Sequence, residues 1–195
     1  RNHLTDLLTS ASDAVFVPII AGGGVRTVED AAVLFRSGAD KVSVNTAAIS
    51  DPSLLERLVD RFGSQAIVLA IDAKKSPVDG WQAYVDGGRE PTGLDVIDWI
   101  EHASCMGFGE ILLTSVDLEG SRSGFDTALI NKVSERSRAP ILVSGGFGQV
   151  EHLNSLSGIP GVQGIVLADY LHFDRGSVDC IKYALRNEPI TIDDK

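Results

Sequence analysis

Asp72 closes an unbroken apolar run, Ala-Ile-Val-Leu-Ala-Ile over residues 66–71. A carboxyl at the end of a buried strand projects among few waters, where it holds a proton more readily than in solution and can give it back. The alternative is a carboxylate satisfied by loop N–H groups or by Lys74. Two further stretches carry a different chemistry. Val17-Pro18-Ile19-Ile20-Ala21-Gly22-Gly23-Gly24 and Ala139-Pro140-Ile141-Leu142-Val143-Ser144-Gly145-Gly146 each run from proline through β-branched residues into glycines. Glycines expose backbone N–H groups, and a helix N-terminus following such a loop suits phosphate. One such turn is explained by loop shape alone; two related ones suggest a substrate with a phosphate at each end. Lys41 and Glu110 lie near the amino ends of their strands. They form a structural ion pair or gate a channel.

The elements that would position these residues recur. Val28-Glu29 matches Val150-Glu151 at the same offset of 122 residues as the glycine stretches, and residues 38–44 match 161–167 one residue later. A strand, glycine loop, helix, strand unit therefore occurs twice. A βα unit takes about 30 residues, so the offset holds about four units and two copies make an eight-unit barrel of about 250 residues. With 195 residues, the expectation is an α/β chain: a (β/α)8 TIM barrel, incomplete, with about six βα units and a two-fold internal repeat. It is read as one partial barrel domain over residues 1–195 that lacks the first strands.

In chain order the pattern predicts a helix over 4–15, a strand over 17–21, and a helix capped by Thr27 that runs to about Ser37. A strand follows at 41–44, then a helix opened by Asp51-Pro52, and the strand 66–71. Residues 74–92 hold Trp81, Tyr84 and a Gly87-Gly88 turn, which predicts a β-hairpin inserted over the site. Beyond it come a helix over 94–106, a strand over 110–114 and a polar loop to Asp126, which caps the helix 127–136. The last elements are a strand at 141–143, a helix near 149–156, a strand at 164–167, a helical turn at 168–173, a helix at 178–185 and an acidic tail at 191–195.

A net charge of −10 argues against nucleic acid and anionic membranes as partners. No apolar run approaches the roughly 18 residues of a bilayer span. Cys105 and Cys180 form no CxxC pair and are expected as buried free thiols of a cytoplasmic protein. No metal or cofactor is expected.

The strand ends of such a barrel carry the site. They hold Gly24, Asn45, Thr46, Asp72, Thr114, Ser144, Gly145, Gly146, Ala168 and Asp169. Residues 21–30, 38–48, 62–66, 70–74, 109–115 and 123–126, with Ser144-Gly145-Gly146 and His172-Phe173, resemble the cyclase subunit of imidazole glycerol phosphate synthase. The resemblance covers nearly the whole chain in order. It implies a two-fold-repeat barrel, an enzyme of histidine biosynthesis, and a heterodimer with a glutaminase partner that delivers ammonia along the barrel axis. The implied substrate is a bis-phosphorylated aminoimidazole carboxamide nucleotide, and the products are imidazole glycerol phosphate and aminoimidazole carboxamide ribotide.

By the same resemblance Asp72 is the second of two catalytic aspartates, while Gly24, Asn45 and Thr46 bind one phosphate. Thr114, Gly120, Ser144, Gly145, Gly146 and Ala168 bind the other. Lys41 and Glu110 belong to the ammonia gate, and Asp40 and Gln65 to the glutaminase-facing side. The family's first catalytic aspartate falls on strands absent here, so weak activity is expected of this chain alone. Residues 117–121 read Asp-Leu-Glu-Gly-Ser where the family has Asp-Arg-Asp-Gly-Thr, and Asp169 stands where it has serine. A carboxylate at that position should repel phosphate, unless Asp169 turns outward to cap the turn that follows. Two other functions fit the same residues: a paralogue supplying ammonia for amidation of a surface-polysaccharide sugar, and a non-catalytic barrel.

Overall fold

The computed structural model describes residues 2–187; the tail at 191–195 lies outside the described residues. Strands and helices alternate in the order α1 (Asn2–Ala14), β1 (Ile20–Gly22), α2 (Val28–Arg36), β2 (Lys41–Val44), α3 (Thr46–Ser50), α4 (Ser53–Phe62) and β3 (Ile67–Lys75). There follow β4 (Trp81–Val85), β5 (Glu90–Asp95), α5 (Val96–Ser104), β6 (Glu110–Ser115), α6 (Thr127–Arg136), β7 (Ile141–Ser144), β8 (Val162–Val166), α7 (Asp169–His172) and α8 (Val178–Asn187). The hydrogen-bonded strand order is β1-β2-β3-β6-β7-β8, with β4 on β3 and β5 on β4. β1–β2, β2–β3 and β7–β8 pair parallel. Parallel strands need crossover connections, and the helices supply them. The fold is an incomplete (β/α)8 barrel.

The described residues fall into two compact units, those up to Ala70 with His102–Ile111, and Ile71–Glu101 with those from Leu112 on. In the first unit, α2 starts at a capping box: Thr27 accepts from the Asp30 N–H, and Asp30 accepts from the Thr27 N–H. Leu54, Leu55 and Leu58 bury one face of α4 at 1% exposure or less, each worth about 1.5–3 kcal/mol of apolar burial. Phe62 at its end packs on Phe35 of α2, the rings tilted by 41° with centroids 4.6 Å apart.

In the second unit, β4 pairs antiparallel with both β3 and β5. The hairpin turns at Asp86, Gly87 and Gly88, all at positive φ. Trp81 donates its indole N–H to Asp126 at 2.9 Å, while the other oxygen of Asp126 caps α6 through the Leu129 N–H at 3.1 Å. The Lys75 N–H donates to Asp117 at 2.7 Å. The hairpin and the loop after β6 are thereby tied together.

Several boundaries differ from expectation for local reasons. β1 starts at Ile20 because Pro18 has no N–H and the Ile19 N–H goes to the Asp40 carboxylate at 2.7 Å. β3 runs four residues past Ile71, to Lys75, because β4 offers it an antiparallel partner. α5 begins only at Val96, since β5 continues to Asp95 and the Asp95 carboxylate then takes the Ile97 N–H. Residues Val150–Leu156 form a 3-10 stretch rather than an α-helix; Asn154 and Ser155, with Ser157 and Gly158 behind them, favour helix poorly. Asp51 does not cap α4 by its side chain; its carboxylate takes the Ser53 hydroxyl at 2.6 Å and the Arg57 guanidinium at 2.8 Å. Both cysteines are free but exposed, not buried. Cys105 sits in the turn after α5, and Cys180 on the first turn of α8.

Candidate functional site

Strand residues alternate between two faces, and here one face is packed while the other is half-open. In β2, Val42 and Val44 are buried, and Lys41 and Ser43 are half-buried. In β3, Leu69, Ile71 and Ala73 are buried against half-buried Ala70, Asp72 and Lys74. In β6, Ile111, Leu113 and Ser115 oppose Glu110, Leu112 and Thr114; in β7, Ile141 and Val143 oppose Leu142 and Ser144. Every strand residue singled out for chemistry stands on the half-open face.

In the first unit, β1 runs into Gly23 and Gly24 at φ +97° and +71°. Gly22 is required by packing, since a Cβ there would meet the Ser43 hydroxyl at 2.0 Å. Asn45 stands at the N-cap position of α3, and Thr46 is its exposed first residue. The Arg26 and Thr27 N–H groups at the head of α2 go to the Asp30 carboxylate, and the Asp30 N–H goes to the Thr27 hydroxyl. At the opposite strand ends, Lys41 donates to Glu110 in an ion pair whose side chains are 26% and 19% exposed. Asp40 is occupied structurally at the entry of β1, and Gln65 lies in a 3-10 turn beside Gly63.

In the second unit, Asp72 lies inside β3, not at its end. The parallel register of β3 with β2 ends at Leu69, and its antiparallel register with β4 begins at Asp72, opposite Tyr84. Asp72 therefore stands past the parallel register with β2, at the first residue paired with β4. Lys74, next on the same face, lies over the Tyr84 ring, 4.7 Å from its centroid. The sequence marks Tyr84 only as part of the hairpin, not as a neighbour of Asp72.

The second glycine loop follows β7. Gly145 and Gly146 have φ of +94° and +93°. A Cβ on Gly145 would stand 2.4 Å from the Ser115 carbonyl oxygen, and one on Gly146 only 1.9 Å from that of Gly124. These glycines are fixed by backbone approach as well as by φ. The Gly124 N–H donates to the Gly146 carbonyl at 2.8 Å, which holds the loop after β6 against it. A cavity forms here, lined among others by Glu119, Gly120, Gly145, Gly146, Ala168 and Asp169. Phe147 and Tyr170 floor it, edge to face at 4.9 Å. Ser144 ends β7 just before the glycine loop, and Thr114 is the second-last residue of β6. Asp169 lines the cavity rather than capping α7, and it accepts from the Arg175 guanidinium. No motif marked Arg175, because its partner is defined only by the folded turn.

Parallel strands alternating with helices, and glycine loops after β1 and β7, define the class: an α/β barrel protein. The model of the family described as "Histidine biosynthesis protein" matches residues 1–177. The chain is 47% identical over 154 residues to the imidazole glycerol phosphate synthase subunit HisF of Legionella pneumophila, covering 79% of this chain and 73% of that one. It is 40% identical over 192 residues to the subunit of the same name from Streptococcus mutans, covering 98% of this chain and 76% of its relative. The HisF subunit of Symbiobacterium thermophilum is likewise 40% identical over 192 residues. The chain belongs to the histidine biosynthesis family, among enzymes named as imidazole glycerol phosphate synthase subunits.

Proposed function

We propose that the chain carries the cyclase activity of imidazole glycerol phosphate synthase. It joins ammonia from a glutaminase subunit to a bis-phosphorylated aminoimidazole carboxamide nucleotide with a ribulosyl arm, and releases imidazole glycerol phosphate and aminoimidazole carboxamide ribotide. The observation that carries this reading is Asp72, a half-buried carboxylate past the parallel register of β3 with β2, in a chain of this family. Addition of ammonia to a carbonyl carbon needs a proton delivered to oxygen and a proton removed from nitrogen. The carbonyl oxygen leaves as water as a C=N bond forms; ring closure then joins that nitrogen to the one-carbon unit linking the two halves of the substrate, and the bond from this carbon to the aminoimidazole carboxamide ribotide amine breaks, the amine taking up a proton. A carboxyl on a half-open strand face is placed for such transfers, and one carboxyl works in one protonation state at a time, so Asp72 acts with a second acid–base group. The Gly23-Gly24 loop with Asn45 and Thr46 holds one phosphate end. The Ser144-Gly145-Gly146 loop, with Thr114, Gly120 and Ala168, holds the other. Lys41 and Glu110 stand on the ammonia route as a gate.

The test is isotopic. With 15N-ammonium and the bis-phosphorylated substrate, the complete protein should place one 15N in the imidazole ring. Turnover only with a substrate lacking one phosphate, or with a sugar acceptor, would favour the polysaccharide paralogue, for which Glu119 and Asp169 in the cavity at the loop after β7 speak. Absence of any ammonia-dependent product would refute both.

A further inference from the structure

Two carboxylates, Glu119 and Asp169, line the cavity together with Gly120, Gly145 and Gly146. Glycine N–H groups attract a phosphoryl anion, and two carboxylates repel it. One of them is compensated. The Arg175 guanidinium donates to Asp169 from a residue outside the cavity lining. Arg175 is itself held in place. Its N–H donates to the Tyr170 carbonyl at 3.0 Å, and its guanidinium lies over the Phe173 ring, 4.9 Å from the centroid. Gly176 behind it approaches Tyr170 so closely that a Cβ would meet the phenol oxygen at 2.1 Å. The turn after α7 thus presents Arg175 to the back of the cavity wall in a set direction.

We propose that Arg175 is a specificity-determining residue of this cavity: by neutralising Asp169 from behind, it sets how strongly the cavity binds a phosphoryl group. The inference rests on the phosphate reading of the Ser144 loop given above. With the pair intact, a phosphoryl dianion meets one uncompensated carboxylate, Glu119, which is exposed and screened. Without Arg175 it meets two, the second only about a quarter exposed. One added like charge at the distance of a cavity wall lowers affinity about tenfold at the effective dielectric of a protein surface. Removing Asp169 has the opposite sign, since the wall then loses a negative charge and Arg175 is released toward the ligand.

Titration of the 15N-labelled protein with inorganic phosphate, read at the amides of Gly120, Gly145 and Gly146, tests this. Arg175→Gln should weaken binding at these amides about tenfold, and Arg175→Lys should stay near the parent. Asp169→Asn should tighten it. The double variant Asp169→Asn/Arg175→Gln should return to near the parent value. The Gly23 and Gly24 amides should respond alike in all variants. Unchanged binding in Arg175→Gln overturns the proposal. So does a double variant as weak as Arg175→Gln, because the loss would then be structural. If the parent amides of Gly120, Gly145 and Gly146 do not move with phosphate while those of Gly23 and Gly24 do, the phosphate reading of this loop falls, and the inference with it.

Discussion

Substituting Gly146 by alanine should be far more costly than the same change at Gly23, although both have nearly the same backbone conformation. Their φ angles are +93° and +97°, so each alanine pays the left-handed penalty of about 1–2 kcal/mol. At Gly23 a Cβ would meet nothing within 4 Å, and the cost ends there. At Gly146 the Cβ would lie 1.9 Å from the Gly124 carbonyl oxygen and 2.7 Å from its carbon. Backbone cannot rotate away as a side chain can, so residues 120–126 must shift. The 2.8 Å hydrogen bond from Gly124 to Gly146 is then lost, at about 1 kcal/mol. The total for Gly146→Ala is about 2–4 kcal/mol, against about 1–2 for Gly23→Ala. Urea unfolding of the two variants and the parent measures the difference. Phosphate titration of Gly146→Ala should also show weaker response at the Gly120 amide, because that residue rides on the displaced loop. Equal destabilisation by the two substitutions would refute the reasoning from backbone approach.

The Lys41–Glu110 pair gives a second expectation. Its side chains are 26% and 19% exposed, so Lys41→Met, which strands the Glu110 charge, should cost about 1–3 kcal/mol, less than a fully buried pair. Lys41→Met/Glu110→Gln should recover most of that in a double-mutant cycle of unfolding free energies; simple additivity would contradict coupling. Near α4, the Ser53 hydroxyl and then the Arg57 guanidinium hold the Asp51 carboxyl below the usual carboxylate range. A depressed folded value stabilises the fold above the unfolded carboxylate pKa of about 3.9 and loses that effect as pH falls through the folded value. Asp51→Asn should therefore differ from the parent at neutral pH and converge with it in strong acid; a pH-independent difference in unfolding midpoint would contradict this.

The parts of the fold that were legible in the sequence are those written in local chemistry. Pro18 and Pro140 before β-branched runs, glycines after them, and Thr27 and Asp126 before helices mark strand, loop and cap within a few residues of each other. The alternation of Val42 and Val44 with Lys41 and Ser43 likewise carries its face in its period. Features that depend on distant partners were not legible. The extension of β3 past Asp72 exists because Trp81–Val85 pairs with it. Asp126 was readable as a cap but not as the acceptor of Trp81, 45 residues away. The residues 150–156 carry the strand-loop-helix pattern of their counterparts, yet weak helix formers close them into a 3-10 stretch. For the candidate site, the two glycine loops were readable from strand ends, and Asp72 from the end of its apolar run, although β3 continues past it. Tyr84 opposite Asp72 and Arg175 behind Asp169 were not, since each is brought there by a hairpin or a turn.

The central claim is that Asp72 moves protons for ammonia-dependent ring closure. The most direct measurement is the turnover of the complete protein carrying Asp72→Asn, with ammonium and the bis-phosphorylated substrate, beside its circular dichroism and unfolding midpoint. A positioned general acid–base group contributes about 100- to 10,000-fold. The account predicts a loss of turnover in that range with the fold unchanged and phosphate titration at Gly23 and Gly24 intact. Turnover within a few-fold of the parent, in a folded Asp72→Asn protein, would contradict it.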